Sequence, residues 1–179
     1  MRLIFVLILI QGYMGSSNLW AQQDDFIAEY LERFENSRKY LISVAELMPE
    51  AKYNFSATTE SLTFAENLMH IGYAMDWHSQ SLLGGRPSRD WNTDKRYKVA
   101  NRTKKEIIKI IDETFEESIK LILQFDVKQM DNQLDYFGLT RSKRQIFLLL
   151  MDHITHHRGQ LVVYLRLNDL VPPRYVLFQ

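Results

Sequence analysis

Residues 146–165, with the sequence IFLLLMDHITHHRGQLVVYL, combine a strongly apolar pattern with three of the chain's five histidines. The apolar residues recur at helical spacing, which predicts one amphipathic helix from about Thr140 to Asn168. Its predicted inward stripe consists of Ile146, Leu149, Leu150, His153, His157, Leu161 and Tyr164. Two histidines therefore occupy inward positions on a helix that is otherwise built for a core.

The rest of the chain shows three more segments with the same helical period. They run from about Asp24 to Met48, from Leu62 to Leu83, and from the capping box Thr103-Lys-Lys-Glu106 to near Phe125. No alternating pattern of useful length predicts strands. We therefore expect an all-α protein, a four-helix bundle with a long crossover connection between helices 2 and 3 at about 86–102.

The composition limits the class of protein. The 179 residues suit a single domain, and 46% hydrophobic residues are enough for a core. The formal net charge is zero, which argues against an electrostatic nucleic-acid binder. The chain has no cysteine, so only His, Asp and Glu remain as strong metal ligands.

The N-terminus has the pattern of a signal peptide. Arg2 precedes an apolar run from Leu3 to Ile10, which is too short to cross a bilayer. We expect a signal peptide over 1–21, cleavage near Ala21, and an exported domain over 22–179 that is periplasmic or secreted and without a stable membrane anchor. The alternative is a short membrane-associated tail.

The histidine spacing points to a metal site. His153 and His157 lie one turn apart on one helix face, and buried imidazoles need partners such as a metal ion. His156 lies about 100° round the helix and is a weaker candidate. On helix 2, His70 lies on a half-polar face that suits a pocket, and His78 is the weaker choice for a third ligand. Spacing alone leaves open a satisfied core pair or a surface accident.

A site with three histidines leaves open positions on the metal, which is typical of catalytic or ligand-binding sites. Zinc or nickel fits best, with iron or manganese as alternatives. The chain has no His-Glu-x-x-His, so the metalloprotease base is missing. Asp152 either orients a metal ligand through a hydrogen bond or is a solvated carboxylate on the helix surface.

Several of these motifs resemble the DinB family of metalloenzymes. The signature is His153-x-x-x-His157-Arg158-Gly159-Gln160, followed by Tyr164-Leu165-Arg166 and Pro172-Pro173, and the upstream segment FAENLMHI at 64–71 matches the family's first-histidine region. The resemblance covers about 24–175. It implies a four-helix bundle, often dimeric, in which His70, His153 and His157 hold a divalent metal and Arg158 and Gln160 support the site.

The function that follows is a metal-dependent hydrolase or transferase acting on a small molecule, in a pocket closed by the connection around Trp91 and Tyr97. The resemblance implies thiol chemistry for some relatives, but an export signal would separate this chain from cytoplasmic thiols. Two alternatives are a non-catalytic metal- or ligand-binding protein and a structural bundle. A homodimer is expected, because the first and third helices offer broad apolar faces.

Overall fold

The computed structural model describes the backbone of residues 2–176 and the side chains of residues 25–176. Its main elements are α1 (Arg2–Leu47), α2 (Phe64–Asp76), α3 (Lys104–Leu123), α4 (Lys143–Leu167), and the strands β1 (Gln133–Tyr136) and β2 (Leu139–Ser142). Single 3-10 turns lie at Glu50–Lys52 and Val127–Gln129. The predicted four-helix bundle is confirmed.

Helix α1 begins at Arg2 rather than at Asp24, so it includes the predicted signal segment. The side chains of residues 1–21 lie outside those described, and cleavage of this segment remains a prediction. Within the described part of the chain, no helix is long and apolar enough to cross a membrane.

The expectation that the chain has no strands is wrong at one place. Strands β1 and β2 form an antiparallel hairpin, in which Gln133 pairs with Ser142 and Tyr136 with Leu139. The turn residues Phe137 and Gly138 both have positive φ, 54° and 79°, as a two-residue hairpin turn requires. Each strand has only four residues, the lower limit of the length at which alternation indicates a strand.

The α2–α3 connection is long because these two helices are parallel. Gly72 of α2 lies against Ile111 of α3, and further along Ser79 and Ser118 share a hydrogen bond of 2.8 Å. Two parallel neighbours can only be joined by a segment that returns along the bundle. The predicted crossover between helices 2 and 3 is confirmed, and it occupies residues 84–103.

Helix α4 runs antiparallel to α2. The Tyr164 hydroxyl near the end of α4 donates to the Leu62 carbonyl just before α2 (2.9 Å). Lys143, at the start of α4, donates to the carbonyl of Leu83 (2.7 Å), just beyond α2. This register places the second half of α4 opposite the first half of α2.

The α2–α3 connection is pinned to the helices at several points. Tyr97 is buried against Gly72, and a Cβ atom added at Gly72 would lie 3.0 Å from the Tyr97 ring. The Tyr97 hydroxyl forms a hydrogen bond with the Thr114 hydroxyl (3.1 Å). The Tyr73 hydroxyl donates to the Arg89 carbonyl (2.8 Å). The connection is therefore a fixed wall beside α2.

Candidate metal centre

Three imidazoles converge between α2 and α4. His70, His153 and His157 each offer one ring nitrogen, and these nitrogens all lie within 4.8 Å of one another. The ring centroids of His153 and His157 are 4.6 Å apart, and that of His70 is 4.5 Å from His157 and 5.0 Å from His153. All three side chains are half-buried. The structure thus brings together the three residues that the sequence singled out.

His157 is oriented by Asn67. The Asn67 amide donates to the carbonyls of Leu62 (3.1 Å) and Thr63 (3.2 Å), which directs its Oδ1 towards His157 Nδ1 at 3.0 Å. An oxygen there can only accept, so Nδ1 carries the proton and the lone pair is on Nε2. This is the usual way in which an outer group fixes the tautomer of a metal-binding histidine. Asn67 lies three residues before His70 on α2, and the sequence alone did not assign it this contact.

His153 provides the clearest sign of a missing partner. Its Nε2 is buried and makes no hydrogen bond to any described residue. Burial, followed by the neighbouring His157 and His70, lowers the pKa of His153 to about 3. Burial and then His70 lower the pKa of His157 to about 4, and burial also lowers the pKa of His70. All three rings are therefore neutral at neutral pH, as metal ligands must be.

The other two histidines do not join the cluster. His78 is buried, with Nδ1 2.6 Å from the Ala74 carbonyl and Nε2 3.1 Å from the Tyr136 hydroxyl, so both ring nitrogens have partners. His78 lies in a π-helical segment, Trp77–Leu83, that continues α2. His156 is exposed and contacts the Gln160 amide (3.1 Å). Gln160 contacts His156 and also borders the recess beside His157.

Arg158 and Asp152 also lie away from the three histidines. Arg158 is buried against α1, where it donates to the Ser37 hydroxyl (2.6 Å) and lies over the Tyr40 ring at 5.3 Å. It supports the packing of α1 on α4 rather than the site itself. Asp152 is exposed, which agrees with the solvated carboxylate and not with an orienting group.

A recess lies on each side of the three histidines. The His70 recess, of about 360 Å³, includes Leu62, Met69, His70, Trp91, Tyr97 and Lys98 in its lining. The second recess, of about 410 Å³, is bordered by His157, Gln160 and Tyr164, and Leu62 borders both. The Trp91 ring lies 6.3 Å from that of His70, so the connection walls the site at Trp91, as the sequence suggested.

We expect Asn67→Leu to lower the affinity for Zn²⁺ by about 10- to 100-fold, because His157 loses the acceptor that fixes its tautomer. Asn67→Asp is the comparison, since its carboxylate keeps an acceptor opposite Nδ1 but loses the donors to the Leu62 and Thr63 carbonyls, so it should retain more of the affinity than Asn67→Leu. Competition with a chelating dye measures both variants. Equal affinities of Asn67→Leu and the wild type would show that Asn67 does not orient His157.

The metal-free protein should lose stability as the pH falls from about 6.5 towards 4. Between these values an unfolded His153 or His157 binds a proton, but the folded one, with its pKa lowered to about 3 or 4, does not. Thermal unfolding from pH 8 to pH 4 measures the loss. The variant His153→Asn/His157→Asn lacks both groups and should show a shallower pH dependence. Parallel curves would mean that the two rings titrate normally.

Comparisons with known proteins agree with this architecture. A family model described as the DinB family matches residues 14–175. The uncharacterised protein YjoA of Bacillus subtilis (strain 168) is 22% identical over 142 residues, which are 77% of this chain and 88% of YjoA. The crystal structure of YjoA superposes with a TM-score of 0.67, covering 84% of this chain and 98% of that one.

Two further crystal structures share the fold. A DinB-like protein from Bacillus cereus has a TM-score of 0.67 at 16% identity, covering 82% of this chain and 95% of that one. YfiT from Bacillus subtilis has a TM-score of 0.62 at 16% identity, covering 84% and 89%. YfiT is described as a probable metal-dependent hydrolase with an unusual four-helix bundle topology.

Proposed function

We propose that this chain, which belongs to the DinB family, binds a divalent metal ion through His70, His153 and His157 and is a metal-dependent hydrolase or transferase for a small molecule. Zinc or nickel is the proposed metal, with iron or manganese as alternatives. We further propose that the protein is exported after loss of residues 1–21 and that it works as a homodimer.

One observation carries the metal assignment. The buried Nε2 of His153 lacks a partner among the described residues, and it belongs to three neutral rings whose nitrogens lie within 4.8 Å of one another. A buried polar atom without a partner is costly, and a cation bound by the three lone pairs removes that cost. The description of YfiT as a probable metal-dependent hydrolase supports the same assignment.

The residues around the proposed metal suit cleavage of a bond in a small molecule or transfer of a group from it. A divalent metal supplies Lewis acidity and lowers the pKa of a bound water or thiol. Asn67 holds His157 in the tautomer that directs Nε2 to the metal, while Trp91 limits the access of solvent beside His70. The two recesses beside the histidines could each hold one of the two parts of a substrate on either side of the bond that is cleaved or transferred.

A second candidate is a non-catalytic metal- or ligand-binding protein. It is favoured by the donor set, because the described cluster contains three histidines without a carboxylate that could act as a general base. Turnover separates the two functions. The zinc- and nickel-loaded full chain is assayed on ester, amide and thiol-transfer substrates, with the chelated protein as control. Metal-dependent turnover supports the enzyme, and tight metal binding without turnover on any class supports the binding protein.

A further inference from the structure

The His70 recess has an apolar body with a positive charge at its wall. Met69 and Tyr97 are buried, and Leu62 and Trp91 extend the apolar lining towards solvent. Lys98 supplies the cation, with its Nζ 3.9 Å from the centre of the Trp91 ring. The volume of about 360 Å³ lies at the small end of the range for ligand pockets.

Lys98 is held in place by its backbone, and its ammonium group has no carboxylate partner among the side chains of residues 25–176. Its backbone carbonyl accepts a hydrogen bond from Arg102 Nε (2.8 Å), which fixes this part of the connection. Among the described residues, no carboxylate oxygen lies within the 4.0 Å of a salt bridge from Lys98. The other charged residue of the lining is Glu66, whose Oε2 accepts the Thr63 N–H (2.8 Å) in the capping box of α2. The ammonium group therefore remains available to an anion.

The metal centre and this charge are close enough for one small ligand to reach both. The Trp91 ring centroid lies 6.3 Å from that of His70 and 3.9 Å from Lys98 Nζ. If the anionic group of a ligand binds Lys98, the apolar body of that ligand lies along Trp91 and Met69. The opposite end of the ligand would then lie beside His70.

We infer that the His70 recess binds a small carboxylate with an apolar or aromatic body, whose carboxylate pairs with Lys98 while its reacting group lies beside His70. This inference rests on the proposed function, because it names the substrate class of that same site. Among the described residues of the lining, Lys98 is the one cationic side chain, and a single cation balances the one negative charge of a carboxylate better than the charge of a phosphate monoester.

The test compares 3-phenylpropionate with its neutral amide, 3-phenylpropanamide, on the full chain with and without bound zinc. Isothermal titration calorimetry measures both affinities. The acid should bind about 10-fold more tightly than the amide in both forms, since only the acid makes a charge-assisted contact with Lys98. Higher salt should reduce this preference, because the contact is partly exposed.

Lys98→Met keeps the aliphatic stem and removes the charge, so the preference for the acid should disappear. Lys95→Met, at an exposed lysine of the same connection, should leave the preference unchanged. Equal binding of acid and amide by the zinc-free wild type would overturn the inference, and so would a preference that persists in zinc-free Lys98→Met. The zinc-free arm does not depend on catalysis. If it shows the preference while no substrate is turned over, the proposed enzyme fails but the carboxylate site stands.

Discussion

Replacement of His157 by alanine should lower the affinity for Zn²⁺ by about 100-fold or more. Loss of a group that only orients a ligand already costs about 10- to 100-fold, so loss of the ligand itself should cost at least as much. Of the three histidines of the site, His157 is the one whose tautomer is fixed by a hydrogen bond to a described residue, the 3.0 Å contact with Asn67. Competition with a chelating dye gives the affinity, and elemental analysis gives the stoichiometry.

The neighbouring residue supplies the control. His156 is exposed, contacts the Gln160 amide and the His157 ring (centroids 4.9 Å apart), and lies outside the group of convergent nitrogens. His156→Ala should therefore bind Zn²⁺ as the wild type does. Stoichiometric zinc in His157→Ala, or loss of zinc in His156→Ala, would show that the ligands have been assigned to the wrong residues.

The second large effect is expected at Asp76, the last residue of α2. Its carboxylate is buried and accepts from Arg86 and from Arg89 Nε (3.2 Å), which ties the α2–α3 connection to the bundle. Asp76→Ala should lower the free energy of unfolding by about 3 kcal/mol, because two guanidinium groups lose their shared partner. Urea unfolding measures the change, and Tm should fall by about 6 to 12 °C.

The Arg96–Glu117 pair gives the comparison for Asp76. It also joins the connection to a helix, at 2.9 Å, but both side chains are partly exposed. An exposed pair contributes about 0–1 kcal/mol, so Glu117→Ala should have a small effect. Equal destabilisation by Asp76→Ala and Glu117→Ala would mean that the buried carboxylate does not hold the connection in place.

The main features of the site could be predicted because they depend on helical period and register. His153 and His157 are four residues apart in one helix, so their shared face follows from the sequence. The choice of His70 over His78 also followed from the face that it occupies. The burial of Arg158 could not be predicted, because the sequence of α4 does not indicate which residue would pair with this arginine. The packing of α1 against α4 shows that its partner is the Ser37 hydroxyl.

The features that sequence reasoning missed depend on tertiary contacts. The hairpin strands are four residues long, and their pairing is stabilised where Tyr136 meets His78 and Trp77. The π-helical turn from Trp77 to Leu83 has the apolar pattern of an ordinary helix end, so only the structure distinguishes it. The role of Asn67 could have been suspected, since it lies one turn before His70 on the same face.

The metal content of the purified protein tests the central claim most directly. Elemental analysis of the wild type, His70→Ala and His157→Ala, each prepared without added chelator, requires no knowledge of the substrate. We predict about one equivalent of a divalent metal in the wild type, as a single three-histidine site requires, and substoichiometric metal in both variants. A wild type without stoichiometric metal, or variants that keep it, would contradict the assignment of His70, His153 and His157 as the metal site.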